Sequence, residues 1–193
     1  MTMIRFVLLA LTVCLALQSC DMRGLVGSRK SDSLFLGIHF GMKAKDFYDH
    51  CWELNRQKKV VHGPTNQSVE YYMATELDHP VYMRFYPYFY KDEIYQMPVT
   101  FEYEAWAPWA RDYHANALLE KLIPLLEKWY GPGFQSRMDP KKGRVYARID
   151  GQRRMILFVK DEQFVQMVMT HIGMEKDFQK EVEEIKSKEA NAE

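Results

Sequence analysis

Read for the alternation of hydrophobic and polar positions, the chain divides into an apolar leader, a polar connector, a long patterned body and a charged tail. The body opens with "LFLGIHF" (34–40), a short apolar run that predicts a strand closed by Gly41. In "MKAKDFYDHCWELNRQ", Phe47, Cys51 and Leu54 recur at i, i+4 and i+7, while Lys45, Asp46, Asp49, Glu53 and Arg56 fall largely elsewhere. That spacing predicts an amphipathic helix. "KVVH" and "SVEYYMAT" follow as strand candidates around the turn "GPTNQ". "VYMRFYPYFY" and "IYQMPVTFEYEA", joined by "KDE", read as two long strands. "WAPWARDYHANALLEKLIPLLEKWYGPG" predicts a second helix, with Pro108 in its first turn, a stripe of Leu118, Leu122, Leu125 and Trp129, and a stop at Gly131 and Pro132. Pro124 predicts a kink near Glu120 or two abutting helices, because an interior proline costs about 3 kcal/mol. "RVYARI" and "QRRMILFV" flank Asp150-Gly151, a type I′ hairpin signal, and "QFVQMVMTHI" is the last strand. Beyond it the stripe thins to Phe178, Val182 and Ile185, which predicts a charged helix fraying toward the C-terminus.

A helix followed by consecutive hairpin-linked strands therefore occurs twice. The expected fold class is α+β: an antiparallel, curved sheet with two helices packed on one face, a suggested duplication of the helix-plus-strands unit, and a C-terminal charged helix. The expected organisation is a signal peptide over 1–19, a lipidated N-terminus and flexible tether over 20–33, a single α+β domain over 34–173, and a charged helical tail over 174–193.

Composition narrows the picture. Of 193 residues, 47% are hydrophobic and 14% aromatic, enough to build a core without help. Basic and acidic residues number 26 each, so no basic excess supports a nucleic-acid partner. The leader has Arg5 ahead of an apolar run, Phe6–Leu17, of a length suited to a signal and too short to span a membrane comfortably. It ends in Leu17-Gln18-Ser19-Cys20, which resembles the bacterial lipobox, although Gln18 is an unusual occupant of its place. The resemblance implies export, cleavage before Cys20, and lipidation of the Cys20 thiol and amine. Two or three acyl chains supply stable anchoring to a lipid bilayer, at about 0.8 kcal/mol per buried CH₂. The expected location is the bacterial cell envelope. Asp21 resembles the inner-membrane retention signal of enteric bacteria, but sorting rules differ between groups, so inner and outer membrane both stay open. Residues 21–33 read as a tether reaching about 20 Å.

"LGIHFGMKAKDFYDHCWEL" resembles the opening of small envelope lipoproteins of the SmpA/OmlA (BamE-like) group and of β-lactamase-inhibitor-like modules. In that group an I-x-x-G-M segment enters a helix soon after the anchor. Lys43 stands where the group has a Ser or Thr helix cap. The resemblance covers about twenty residues. It implies an envelope location and a non-enzymatic role.

Candidate chemistry is sparse. The histidines (His39, His50, His62, His79, His114 and His171) show no metal-ligand spacing, and no nucleotide-binding or hydrolase motif occurs, so no cofactor is expected. Cys14 leaves with the leader and Cys20 is the lipid site, which leaves Cys51 without a disulfide partner, on the apolar stripe of the first helix. The distinctive feature is "VYMRFYPYFY", in which Tyr82, Arg84, Tyr86, Tyr88 and Tyr90 alternate with Val81, Met83, Phe85, Pro87 and Phe89. In the strand after it, Tyr95, Met97, Val99, Phe101 and Tyr103 form the apolar set. With the apolar sets under the helices, a Tyr/Arg band faces outward. Tyr and Arg are enriched at interfaces, and flat aromatic rings also stack on sugars. A protein-interaction lipoprotein is thus the leading reading, with envelope glycan binding and a hydrolase using Cys51 or a histidine as alternatives. Tyr also covers ordinary solvated sheets.

Overall fold

The computed structural model of the protein describes residues 31–65 and 67–190. The segment expected to be a leader, Cys20 as the expected lipidation site, the connector up to residue 30 and the last three residues of the tail lie outside the described residues.

Among the described residues, three whole α-helices and nine strands follow in the order α1 (Ala44–Arg56), β1 (Val61–His62), β2 (Val69–Met73), β3 (Val81–Phe85), β4 (Tyr88–Tyr90), β5 (Glu93–Tyr103), α2 (Ala115–Tyr130), β6 (Gln135–Asp139), β7 (Gly143–Asp150), β8 (Arg153–Val159), β9 (Val165–His171) and α3 (Ile172–Ala190). The strands form one antiparallel sheet in the order β1-β2-β3-β5-β9-β8-β7-β6, with β4 paired to β5. The two halves mirror each other. Each is a helix followed by a meander, and the last strand of each meander lies innermost. β5 and β9 pair from Gln96↔Thr170 to Phe101↔Val165, which joins the halves into a single sheet. The fold is therefore the expected α+β class, a curved and unclosed antiparallel sheet with α1 and α2 on one face and a C-terminal helix.

Alternation explains the core. Val81, Met83 and Phe85 of β3, Met97, Val99 and Phe101 of β5, Met167 and Met169 of β9, and Met155 and Leu157 of β8 share one face, and all are buried. Phe47 of α1 and Leu118, Leu122 and Leu126 of α2 close over them in one cluster. Each such side chain removed from water contributes about 1.5–3 kcal/mol.

Several local expectations are corrected. Residues 34–40 form a tight turn instead of a strand. Leu36 and Gly37 sit at φ 52° and 79°, Ile38 N–H donates to the Phe35 carbonyl at 2.9 Å, and Leu34, Ile38 and Phe40 point into the core. Helix α2 starts at Ala115, well after Pro108, with a short 3₁₀ turn, Arg111–Tyr113, before it. It runs unbroken through Pro124. Its buried stripe holds Leu119 and Leu126, while Trp129 is exposed. The β7–β8 loop is Gly151-Gln152, one residue later than the Asp-Gly signal places it, and only Gly151 has positive φ. In β5, Tyr95 is a bulge residue: Phe89 pairs Ile94 and Tyr88 pairs Gln96, so Ile94 enters the core in place of Tyr95. The run 81–90 breaks at Tyr86-Pro87 into β3 and β4.

Candidate functional site

The helices α1 and α2 cover one face of the sheet. On the opposite face the register sets out rows of neighbouring side chains. One row runs Glu70, Arg84, Thr100, Gln166, Phe158 and Val145 across β2, β3, β5, β9, β8 and β7. The next runs Pro98, Val168, Ile156 and Ala147 across β5, β9, β8 and β7, and all four are half-buried. The face thus has a polar half on β2–β3 and an apolar half centred on β8. A groove of about 620 Å³ lies between, lined in part by Arg84, Tyr88, Pro98, Thr100, Phe164 and Gln166.

One end of this face is covered. Following β9, α3 turns across the row Gln96, Thr170 and Arg154, and leaves Thr170 only 1% exposed. Several contacts hold it. Glu175 accepts from Arg154 at 2.7 Å, Phe178 packs on the Tyr95 and Tyr90 rings, Tyr90 donates to Glu181 at 2.7 Å, and the His171 Nδ1 accepts the Met174 N–H at 3.1 Å. The bulge is what turns Tyr95 out to meet Phe178. Beyond Val182 every described residue of α3 is exposed.

The five residues of the alternating run go to three destinations. Tyr82 and Arg84 lie on the open face, committed to neighbours. Arg84 donates to Glu70 and Glu102, both at 2.6 Å, and Tyr82 and Tyr72 both donate to Glu104, at 3.1 and 2.9 Å. Burial works against the Arg84 charge, but the hydrogen bonds to Glu102 and Glu70 outweigh it and raise its pKa. Burial, then the bond to Glu104, raises the Tyr82 hydroxyl. Tyr86 turns to α1, where its hydroxyl meets that of Tyr48 at 2.6 Å and its ring lies edge-on to Phe47. The Tyr48 bond and burial push the Tyr86 hydroxyl up to about 12. Tyr90 anchors α3. Tyr88 alone stands free at the rim of the groove, 54% exposed.

Sequence reading missed the apolar half of this face. Its signal is present: "MILFV" in β8 is apolar in both phases, as a strand covered on both sides would be. Cys51 is partly buried against the core, and burial pushes its thiol up to about 11. The adjacent His50 ring is committed to the Leu36 carbonyl at 2.6 Å. Among the described residues no group of three or more His, Cys, Asp or Glu is placed to hold a metal ion, and no helix is long and apolar enough to cross a membrane. Comparison with protein-family models, curated proteins and solved structures found no match to this chain.

Proposed function

We propose that this chain is a lipid-anchored protein of the bacterial cell envelope, non-catalytic, whose open sheet face docks a protein partner. The observation that supports docking is the apolar row Pro98, Val168, Ile156 and Ala147, half-buried on four adjacent strands and left uncovered by both core helices. Contiguous apolar surface rimmed by polar groups is the usual form of a protein-binding site. Tyr88, on the same side, supplies an exposed ring of the kind that anchors interfaces. Arg84 and Tyr82 serve the site as an internally paired polar border, Arg84 held by Glu70 and Glu102 and Tyr82 by Glu104. The lipobox-like Leu17-Gln18-Ser19-Cys20 supports the anchor. Cross-linking in the native envelope tests the face. Tyr88→Ala with Ile149→Ser, both at exposed positions, is expected to lose the partner recovered by the wild-type chain. Unchanged recovery overturns this docking surface. Fatty-acid labelling tests the anchor, and label undiminished on Cys20→Ser excludes it.

The exposed Tyr72 and Tyr88 rings favour envelope glycan as a second reading. Saturable binding of envelope oligosaccharides to the purified protein, lost with Tyr88→Ala, would replace the protein partner.

A further inference from the structure

The sheet ends differently on its two sides. The β1 edge is reduced to two residues, a common device for denying a strand edge to other chains. The β6 edge is five residues long, pairs with β7 on one side, and among the described residues faces no other strand. Charged side chains, Lys above all, and Pro protect an edge. This one has Arg137 at its middle, a charge that only an acid on the incoming strand offsets, and beside it Met138, 74% exposed. Beside it, Met138 and the exposed Ile149 border a hollow floored by Val145 and Ala147, with Arg137 and Asp139 on its rim.

We propose that β6 is a self-association edge, pairing antiparallel with β6 of a second copy about a two-fold axis at Met138. In that register Met138 meets its own copy, while Arg137 and Asp139 face Asp139 and Arg137 of the second chain. The charges therefore match twice, by symmetry, on one face, and the methionines meet on the other. A register centred one residue earlier sets Arg137 against Arg137 and is disfavoured. An unrelated strand would have to supply this order of charge, apolar and opposite charge. A second copy has it already. Asp139 is ready for the role. Its Oδ1 accepts from Lys141 N–H and Lys142 N–H, both at 2.9 Å, which fixes the carboxylate and holds it ionised. The edge adjoins the open face, since Val145 and Ala147 belong to both, but the pairing runs through the β6 backbone and does not depend on what that face binds.

The test uses the full chain, purified in detergent, with mass measured by light scattering over a concentration series. The expected result is a concentration-dependent dimer for the wild-type chain and a monomer for Arg137→Glu, which sets acid against acid at both contacts. Mild oxidation of Met138→Cys is expected to give a disulfide-linked dimer absent from wild-type chain and Ser136→Cys treated alike, with unchanged circular dichroism confirming the fold. A wild-type monomer at all concentrations overturns the proposal. So does a dimer that Arg137→Glu leaves intact and Met138→Cys does not trap.

Discussion

A buried guanidinium must be neutralised and hydrogen-bonded, and Arg153, 2% exposed, meets most of that demand, with its Nε left without a partner among the described residues. Its Nη2 donates to Asp150 at 2.8 Å, its Nη1 donates to the Ser33 carbonyl, and its plane lies 4.7 Å from the centre of the Tyr130 ring. One side chain thereby ties the start of the described chain, the end of α2 and the β7–β8 hairpin together. Arg153→Ala leaves Asp150 and a backbone carbonyl without this donor and is expected to cost about 3 kcal/mol, measured as a lowered denaturation midpoint. Arg153→Lys recovers little, since an ammonium lacks the planar fork. Cys51 gives the opposite lesson. With its thiol held near 11 by burial, the thiolate is scarce at neutral pH. Alkylation mapped to the Cys51 peptide is expected to be slow in the native protein and to rise sharply with denaturant. Fast native labelling would reopen the hydrolase reading. Periodicity placed Cys51 correctly on the inner side of α1. It gave no warning of Arg153, because a charged residue in "QRRMILFV" looks like the solvent-facing phase until its distant partners are known.

At the scale of elements, α3 is the least secured helix, with no buried residue of its own. Glu181 accepts from Tyr90 and pairs with Lys91 at 3.3 Å, and these contacts lower its pKa below the ordinary 4.5. A lowered carboxylate pKa stabilises docking above the ordinary value, and that contribution disappears as pH falls through the lowered one. Hydrogen-exchange protection of α3, corrected for intrinsic rates, is therefore expected to weaken as pH drops below 4.5, and Glu181→Gln is expected to flatten the dependence. Helices and long strands were legible because their hydrophobic periods are regular. The misread pieces are places where backbone geometry outranks side-chain pattern. "LFLGIHF" has the apolar content of a strand, but Leu36 and Gly37 at positive φ fold it back on itself. Tyr95 continues a clean alternation that a single bulge interrupts. The break at Tyr86-Pro87 turned Tyr86 to α1, so the alternation held for Tyr82, Arg84 and Tyr88 on the open face and for Tyr90 under α3, but failed at Tyr86.

Across the whole molecule, the two halves share one core and one sheet, joined at β5–β9. Met97, Val99 and Phe101 are completed by Met167, Met169 and Val165 on the other side of that junction. Neither half closes its core alone, so unfolding is expected to follow a single transition, with far-UV circular dichroism and tryptophan fluorescence coincident. Two separated transitions would mean that the halves are independent units. The duplicated plan was legible in the order of elements. The pairing of the last strand of each half was not, because strand order depends on contacts remote in sequence.

That central pairing also sets an order of events during synthesis. β5 emerges from the ribosome with one edge already matched to β3 and the other bare, and its neighbour β9 is among the last strands translated. Until then the longest strand of the protein offers an unpaired edge and an apolar face to any passing chain. The nascent protein is most vulnerable to misassembly in the interval when α2 and β6–β8 are being made, and translation of β9 ends it.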